Sequence, residues 1–306
     1  MYYELPPQKM APLNWPQTEY GVNARRQNGT LVEIPALPRT NALIVGTSGF
    51  GKTCFTKAYV RALFRADPNR FALFFQIKPD DFTQEFLRPQ DKVVAYSGKA
   101  FPDQSFRWNL VKEIRSCPKE DWRAESESVA SILFADLLQD PKNRIWAEAA
   151  KEVFKAFLLT LLHCCPHIPS NLQLIQAMRE WDRKELLRFL SRYSPNRGML
   201  LNNFAFDPDN CASYSLPRKG SDIFFFLQNV LDKFDGTFLS ADGQDTIHDF
   251  LHGQYGSRLF LLHDYKSRSS SKLFERYFLA HIGDELLSQS SDLRCGMLWV
   301  LDEVDK

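Results

Sequence analysis

The sequence lacks several features that would assign it directly to a class of proteins. None of its apolar runs approaches the roughly 18 residues that a membrane-spanning helix needs, and residues 1–10 lack the basic-then-apolar order of a signal peptide. Its 6 cysteines include no CxxC pair, so neither a zinc site nor a disulfide framework is indicated. We therefore expect a cytoplasmic protein whose thiols are reduced.

The chain also lacks an excess of charge of either sign. The chain has 38 Lys and Arg residues against 37 Asp and Glu residues, which leaves a formal net charge of +1. No overall basic field therefore attracts nucleic acid or anionic lipid, and any surface for a polyanion must be local. The basic segments 23–27, 194–198 and 265–272 are open to two interpretations, contact with DNA phosphates or ordinary solvated surface.

The first hundred residues have the pattern of a strand, loop and helix unit. Residues 1–28 are rich in Pro, Asn and Gln and predict an irregular lead-in, and residues 29–35 predict a short strand. ALIVG (42–46) is a continuous apolar run, which is typical of a parallel strand buried on both faces. Helical spacing over 52–64 and a second apolar run at 70–77 complete a βαβ unit.

The middle of the chain is helical, and strand patterns return near its end. Between about 117 and 235, apolar residues recur three and four apart, interrupted by a turn-rich segment at 202–210. We predict an α/β fold in which residues 29–116 and 236–306 form a P-loop nucleotide-binding domain and residues 117–235 form an inserted all-α domain. Further predicted elements are strands at 93–97, 258–265 and 296–301 and a helix at 271–287.

GTSGFGKT (46–53) meets the requirements of a phosphate-binding loop. Such a loop needs glycines so that backbone N–H groups can point inward, a Lys for the β- and γ-phosphates and a hydroxyl for magnesium. Lys52 and Thr53 meet the last two needs, and the following helix directs its positive end at the phosphates. We therefore predict ATP and Mg2+ as cofactors. The residues expected to bind the nucleotide are Gly46, Thr47, Ser48, Gly49, Phe50, Gly51, Lys52, Thr53 and Cys54.

A magnesium-binding acid should follow a second buried strand. In LWVLDE, Asp302 would bind the metal together with Thr53, and Glu303 would act catalytically by polarising the attacking water, alongside Lys52. The alternative that Asp302 and Glu303 merely end a strand at a solvated turn stays open. Asp264 in LFLLHDY is a rival metal ligand that has no adjacent Glu.

Two further polar groups are also open to interpretation. Lys78, Asp80 and Asp81 follow the second strand, at the edge where open α/β sheets bind ligands, and form either part of the nucleotide site or a solvated turn. His163 and His167 flank a cysteine pair. Because no second cluster completes a tetrahedral metal site, we interpret this segment as a helix end and a loop.

Taken in order, several segments resemble the coupling-protein ATPases of conjugative and type IV secretion systems, in the FtsK/HerA group of DNA pumps. The resemblance covers about residues 25–306. Beyond the P-loop, it rests mainly on RWNLVKEI, which is similar to the family's Trp-Asn turn, and on a Trp-containing helix. The segments are GTSGFGKT, KPDDF, DKVVAYS, RWNLVKEI, IWAEAAKEVFKAFL and LWVLDE.

The resemblance implies a RecA-like P-loop NTPase domain with an inserted all-α domain, assembled with copies of itself into a hexameric ring. The implied activity is ATP-driven pumping of single-stranded DNA or a relaxase–DNA complex toward a secretion channel, whose components would be partners. The implied location is the cytoplasm or the cytoplasmic face of the bacterial inner membrane. Carried over residue by residue, Asp302 is the Walker B acid and Glu303 the catalytic base.

The sequence departs from the family pattern in three respects. It has no N-terminal membrane helices, it has Gln76 where the family commonly has Asp, and it stops at Lys306, so we expect the motor domain to be truncated after Walker B. Two alternatives follow. One is a soluble HerA-like DNA-translocating ATPase in DNA processing or defence. The other is a nucleotide-gated docking module with little turnover, which would expose an apolar patch on residues 120–235.

Overall fold

A computed structural model gives the fold of most of the chain. The described residues are 21–25, 30–35, 44, 51–76, 82–95, 101–165, 167, 169–193, 197–207, 209, 213–234, 243–253, 256–263, 268–288 and 297–301. The chain forms two compact units. Unit 1 comprises Met1–Asp91, Gly256–Leu262 and Glu285–Lys306, and unit 2 comprises Lys92–Tyr255 and His263–Asp284.

Unit 1 begins with a two-stranded antiparallel ribbon. Strands β1 (Gly21–Arg25) and β2 (Leu31–Pro35) pair so that Gly21 lies opposite Pro35. The strand prediction at 29–35 is confirmed, but the description of 1–28 as wholly irregular is wrong, because β1 lies within it. The polar composition of GVNAR hides the strand, since its register is set by pairing with β2 rather than by an apolar pattern of its own.

The parallel strands of unit 1 place β3 (Ala72–Gln76) between β5 (Arg258–Leu262) and β6 (Leu298–Leu301). The pattern of β3 and β5 is almost continuously apolar because both faces of each strand are buried. Phe74 stacks on Phe260 with ring centroids 4.6 Å apart. The strand predictions at 70–77, 258–265 and 296–301 are confirmed.

Helix α1 (Lys52–Ala66) packs its apolar face into the core of unit 1, and the short helix α2 (Thr83–Phe86) follows β3. Phe55, Ala58, Tyr59 and Leu63 form a buried cluster with Val22. Ile44, the described residue of the predicted strand 42–46, packs against this cluster. The helix prediction at 52–64 is confirmed.

Unit 2 is mainly helical and contains the short strand β4 (Lys92–Ala95), which confirms the strand prediction at 93–97. The helix predicted at 271–287 is confirmed as α12 (Arg268–Ser288). The final turn of α12 belongs to unit 1. The helices are α3 (Leu110–Ser116), α4 (Trp122–Leu133), α5 (Ala135–Leu138), α6 (Arg144–Cys164), α7 (Asn171–Glu180), α8 (Arg183–Tyr193), α9 (Arg197–Phe204), α10 (Arg218–Leu231), α11 (Ile247–Leu251) and α12 (Arg268–Ser288).

Helix α6 forms the centre of unit 2, where α4, α8 and α10 pack around it. Its apolar residues recur at helical spacing, and Phe154 and Phe157 are fully buried. The predicted turn-rich break at 202–210 starts too early, because α9 continues to Phe204, a residue that is fully buried. No helix in the described part of the chain combines the length and the apolar character needed to cross a bilayer.

Candidate nucleotide site

The start of α1 has the properties of an anion-binding helix end. Gly51 precedes the helix with a φ of 76°, in the left-handed region that glycine adopts without strain. The cap makes no side-chain hydrogen bond, and the first turn contains no acidic residue. The N–H groups and the positive end of the helix dipole are therefore not neutralised by a side chain of this turn.

The first three helical residues carry the side chains that the sequence assigns to the nucleotide. Lys52 and Thr53 are half-buried and Cys54 is exposed. The first turn of the helix is hydrogen-bonded, since the Phe55 N–H donates to Gly51 O at 2.9 Å and the Thr56 hydroxyl donates to Lys52 O at 3.0 Å. An ammonium and a hydroxyl at this end of a helix suit a magnesium-bound polyphosphate, so these residues fit the predicted cofactor.

Several predicted site residues lie outside the described residues, and their roles stay predictions. The strand predicted to precede Asp302 and Glu303 is present, because β6 ends at Leu301, immediately before these two acids in the sequence. Leu301 lies opposite Phe75 in the parallel pairing of β6 with β3. The predicted residues outside the described part are Gly46, Thr47, Ser48, Gly49, Phe50, Asp302 and Glu303, together with Lys78, Asp80, Asp81 and the rival acid Asp264.

The carboxyl end of β3 shows what Gln76 does in place of an Asp. Gln76 is fully buried, and its side-chain oxygen accepts the Phe82 N–H at 3.0 Å. The amide thus fixes the backbone just before α2, a role that a neutral side chain can perform inside the protein without the cost of a buried charge. The departure from the family pattern therefore has a structural explanation.

The amino ends of the same strands contain a buried charged group that the sequence pattern does not reveal. Arg258 donates to Phe86 O at 2.6 Å, and its guanidinium lies 3.8 Å from the centroid of the Phe64 ring. Asp91 is held by Arg88, with an N···O distance of 2.9 Å. Burial, followed by the nearby Arg88, lowers the pKa of Arg258, while Asp91 opposes the shift. The Arg88–Asp91 ion pair and the hydrogen bonds of Arg258 therefore lie together at this end of the sheet.

Gly256 is required beside this group. A Cβ on Gly256 would lie 2.4 Å from the Asp91 carboxylate and 2.5 Å from Gln90 O. The Gly256 N–H donates to Gln90 O at 2.9 Å, so the two backbones touch directly. Polar residues at the amino ends of the strands therefore serve the fold, whereas ligands of open α/β sheets bind at the carboxyl ends.

The Trp-Asn turn in unit 2 has a structural role that the sequence did not reveal. Asn109 caps α3 by accepting the Lys112 N–H at 2.8 Å, and its amide donates to Pro169 O and Gly243 O at 3.0 and 3.1 Å. Asn171 completes the turn, accepting the Leu110 N–H at 2.9 Å and donating to Trp108 O at 2.8 Å.

Glu113 is the buried centre of this turn. It is 1% exposed and accepts the Trp108 indole N–H at 2.8 Å. It also accepts the backbone N–H groups of Ile247 and His248, at 2.7 and 3.1 Å, and lies 3.3 Å from His281 Nε2. The carboxylate is thus hydrogen-bonded on both oxygens, and RWNLVKEI joins three distant parts of unit 2.

The segment with His163 and the Cys164–Cys165 pair is held by a hydrogen bond within α6 and by an aromatic contact. His163 Nδ1 lies 2.7 Å from Leu159 O within α6, and the ring meets Trp122 edge to face at 5.4 Å. Cys164 and Cys165 are half-buried and are not joined in a disulfide. The segment thus ends a helix, in line with the interpretation made from the sequence.

An open cleft of about 480 Å³ in unit 2 is polar but not basic. Lys92 pairs with Asp245 at 3.2 Å, and Arg107 and Asp103 also line the cleft. Because two cations and two carboxylates line the cleft, its lining has no formal net charge with which to hold a nucleic-acid backbone.

These features together define an α/β protein with a P-loop-type helix end and a helical insertion. The chain belongs to the type IV secretion-system coupling proteins, because the family model of their DNA-binding domain matches residues 26–306. No curated protein sequence matches the chain.

Solved structures of the plasmid coupling protein TrwB share the fold. TrwB with the ATP analogue ADPNP has a TM-score of 0.57 at 16% identity, covering 84% of this chain and 55% of that chain. TrwB with GDPNP and TrwB with ADP and Mg2+ give 0.59 and 0.58, at 16% and 15% identity, each covering 88% of this chain and 65% of theirs. The predicted fold, a RecA-like P-loop NTPase domain with an inserted all-α domain, is confirmed. The chain spans 55% to 65% of the length of these TrwB chains.

Proposed function

We propose that the chain binds ATP with Mg2+ at the start of α1 and hydrolyses it to pump DNA or a nucleoprotein substrate toward a type IV secretion channel. The observation that carries this proposal is the uncapped, acid-free first turn of α1 behind a left-handed Gly51, with Lys52 and Thr53 as its first residues. The nucleotides bound to TrwB in its structures support the choice of ligand.

Each residue would contribute a separate part of the chemistry. Lys52 would neutralise the β- and γ-phosphates, while Gly46 to Cys54 would surround them with backbone N–H groups. Thr53 and Asp302 would hold Mg2+, which when bound supplies positive charge to the phosphate oxygens. Glu303 would accept a proton from the attacking water. Asp302 and Glu303 follow β6, whose parallel pairing with β3 directs both strand ends to one sheet edge.

The proposed assembly and partners follow from family membership. We place the chain in a ring of identical subunits, with six as the expected number, in the cytoplasm at the inner face of the bacterial inner membrane. Single-stranded DNA or a relaxase–DNA complex would be the substrate, and channel components the other partners. The predicted limits of the all-α domain, 117–235, are also part of the proposal. A soluble HerA-like role in DNA processing or defence would use the same ATPase site.

A second candidate is a nucleotide-gated docking module, and exposed apolar side chains in unit 2 favour it. Ile145 on α6 is 76% exposed and Phe225 on α10 is 62% exposed. These two helices pack on each other. Large apolar side chains in water are a common feature of partner surfaces when they form a contiguous patch. This candidate predicts nucleotide binding without DNA-dependent turnover.

ATP hydrolysis by the full chain, with and without single-stranded DNA, tests the proposal. We expect DNA to stimulate turnover and Lys52→Ala to lower it by at least about a hundredfold, as loss of a charge-stabilising donor does in other enzymes. Lys57→Ala is the matched control, since Lys57 lies on the same helix with its ammonium 5.9 Å from the Phe82 ring centroid. It should leave turnover unchanged.

Further variants separate the candidates. Glu303→Gln should retain ATP binding while turnover falls, because the base but not the phosphate site is removed. ATP binding that survives Lys52→Ala would contradict the site itself. ATP binding by the unaltered chain with no DNA-stimulated turnover would reject the pump and leave the docking module.

A further inference from the structure

Two histidines of unit 2 lie on one face of α11. His248 is in the helix, and His252 forms its carboxyl cap four residues later. Residues four apart on a helix are neighbours on its surface. The ring centroids are 4.1 Å apart, and the ligand nitrogens lie within 4.8 Å of each other.

The backbone that carries this pair is held firmly in place. The His252 N–H donates to His248 O at 3.0 Å, which closes the helical turn between them. Buried Glu113 accepts the His248 N–H at 3.1 Å, and the Thr246 hydroxyl caps the helix by accepting the Asp249 N–H at 2.9 Å. The next residue, Gly253, has a φ of 78° and ends the turn. The backbone positions of the two histidines are therefore nearly fixed, which lowers the cost of bringing both rings to one ligand.

The chemistry of the pair selects one class of ligand. Imidazole nitrogens bind Zn2+ at about 2.0–2.1 Å, so two nitrogens in a tetrahedral site lie roughly 3.3 Å apart. The ligand nitrogens of His248 and His252 lie within 4.8 Å of each other, and rotation about the side-chain bonds changes this spacing. Mg2+ prefers oxygen ligands and suits this pair poorly. The pair thus differs in chemistry from the magnesium nucleotide site proposed above.

We propose that His248 and His252 chelate Zn2+, with water completing its coordination. A metal bound to both rings links the two ends of one helical turn. Because the unfolded chain does not hold the rings together, Zn2+ stabilises the folded state by mass action. The proposal concerns the folded chain without nucleotide and is independent of ATP binding.

Zn2+ titration of the full, nucleotide-free chain tests this site, by calorimetry and by the midpoint of thermal unfolding. His252→Ala is the main variant, because His252 is exposed and its loss should leave the fold intact. His248→Ala removes the other ligand. His167→Ala is the matched control, an exposed histidine of the same unit outside α11, and MgCl2 replaces ZnCl2 in a parallel titration.

We expect Zn2+, but not Mg2+, to raise the unfolding midpoint of the unaltered chain and of His167→Ala. Loss of a ligand's hydrogen-bond partner alone weakens metal affinity by roughly 10–100-fold, so His252→Ala and His248→Ala should each weaken Zn2+ binding by at least that much. Equal Zn2+ affinity in His252→Ala and the unaltered chain would overturn the proposal. Absence of Zn2+ binding to the unaltered chain would overturn it too.

Discussion

The two units bury polar groups in opposite ways. In unit 1 they lie at the ends of an apolar sheet, with Gln76 at the carboxyl end of β3 and Asp91 and Arg258 at the amino ends. In unit 2 Glu113, which is only 1% exposed, lies inside the helical fold and joins segments that are 134 residues apart in sequence. A sheet can satisfy its interior through backbone pairing, whereas a bundle with a long irregular connection needs side chains to do so.

This difference shows why burial of a carboxylate is weak evidence for catalysis. Both oxygens of Glu113 already accept hydrogen bonds from Trp108 and from the start of α11. The acids predicted to act on the nucleotide are of another kind, since they follow a strand at the open edge of a sheet. We therefore expect position relative to the sheet to separate structural from functional acids better than burial does.

The largest expected effect is the loss of stability on replacing Glu113, and it tests whether this buried carboxylate is structural. Glu113→Ala leaves the Trp108 indole and the N–H groups of Ile247 and His248 without the carboxylate that accepts their hydrogen bonds. Each buried donor that loses its acceptor costs about 1–3 kcal/mol, so we expect a loss of about 3–5 kcal/mol in the free energy of unfolding. Urea denaturation followed by tryptophan fluorescence measures it. Glu120→Ala, at an exposed acid of the same unit, should change stability by less than about 0.5 kcal/mol. A Glu113→Ala loss as small as that would show that the turn is not held by its carboxylate.

A pair of glycine variants compares the units directly. Gly51 in unit 1 and Gly253 in unit 2 have φ values of 76° and 78°, and an added Cβ would meet no atom within 4 Å at either position. Gly51→Ala and Gly253→Ala should therefore each cost about 1–2 kcal/mol of backbone strain. Only Gly51→Ala should also weaken ATP binding, because it alters the loop beside Lys52.

Thermal unfolding and an ATP-binding titration on both glycine variants separate strain from function. Equal stability losses with unequal ATP affinities would sharpen the contrast between a functional and a structural turn. If Gly253→Ala weakened ATP binding as much as Gly51→Ala does, the positive φ at Gly51 would have no special connection with the nucleotide.

The smallest effect concerns a partly exposed ion cluster in unit 2. Glu127 on α4 lies 2.5 Å from Lys155 Nζ and 2.9 Å from Lys151 Nζ. The hydrogen bond from Lys155, with that from Lys151, lowers the pKa of Glu127 to about 2 against the resistance of burial. The stabilisation is therefore complete above the unfolded pKa of about 4.3 and is lost as the pH falls toward 2.

Because 41% of the Glu127 side chain is exposed, the gain at neutral pH should be no more than about 1 kcal/mol. Glu127→Gln should remove it, so the difference in unfolding free energy between the variant and the unaltered chain should shrink over that acid range. It should also shrink in high salt. A difference that stayed constant down to pH 2 would mean that the ion cluster does not stabilise the fold.

The outcome for individual elements shows how far local patterns reach. The strands at 70–77 and 258–265 were predictable because buried parallel strands are apolar without interruption, and α1 because its apolar residues recur at helical spacing. Strand β1 was missed, since GVNAR becomes a strand only through its pairing with β2. The Arg258–Asp91 group was missed for the same reason, because its two residues are far apart in sequence and meet through the sheet.

The sequence by itself determined the fold class, the order of the main elements and which segment, around Lys52, is predicted to bind phosphate, because apolar periodicity and glycine spacing act over a few neighbouring residues. Only the tertiary structure decided that the Trp108-Asn109 turn is a structural centre of unit 2 and that Gln76 secures the backbone before α2. The tertiary structure likewise showed that α11 brings two histidine rings together. The physical reason is that hydrogen bonds and packing between distant segments depend on how the chain returns to itself, which no local pattern records.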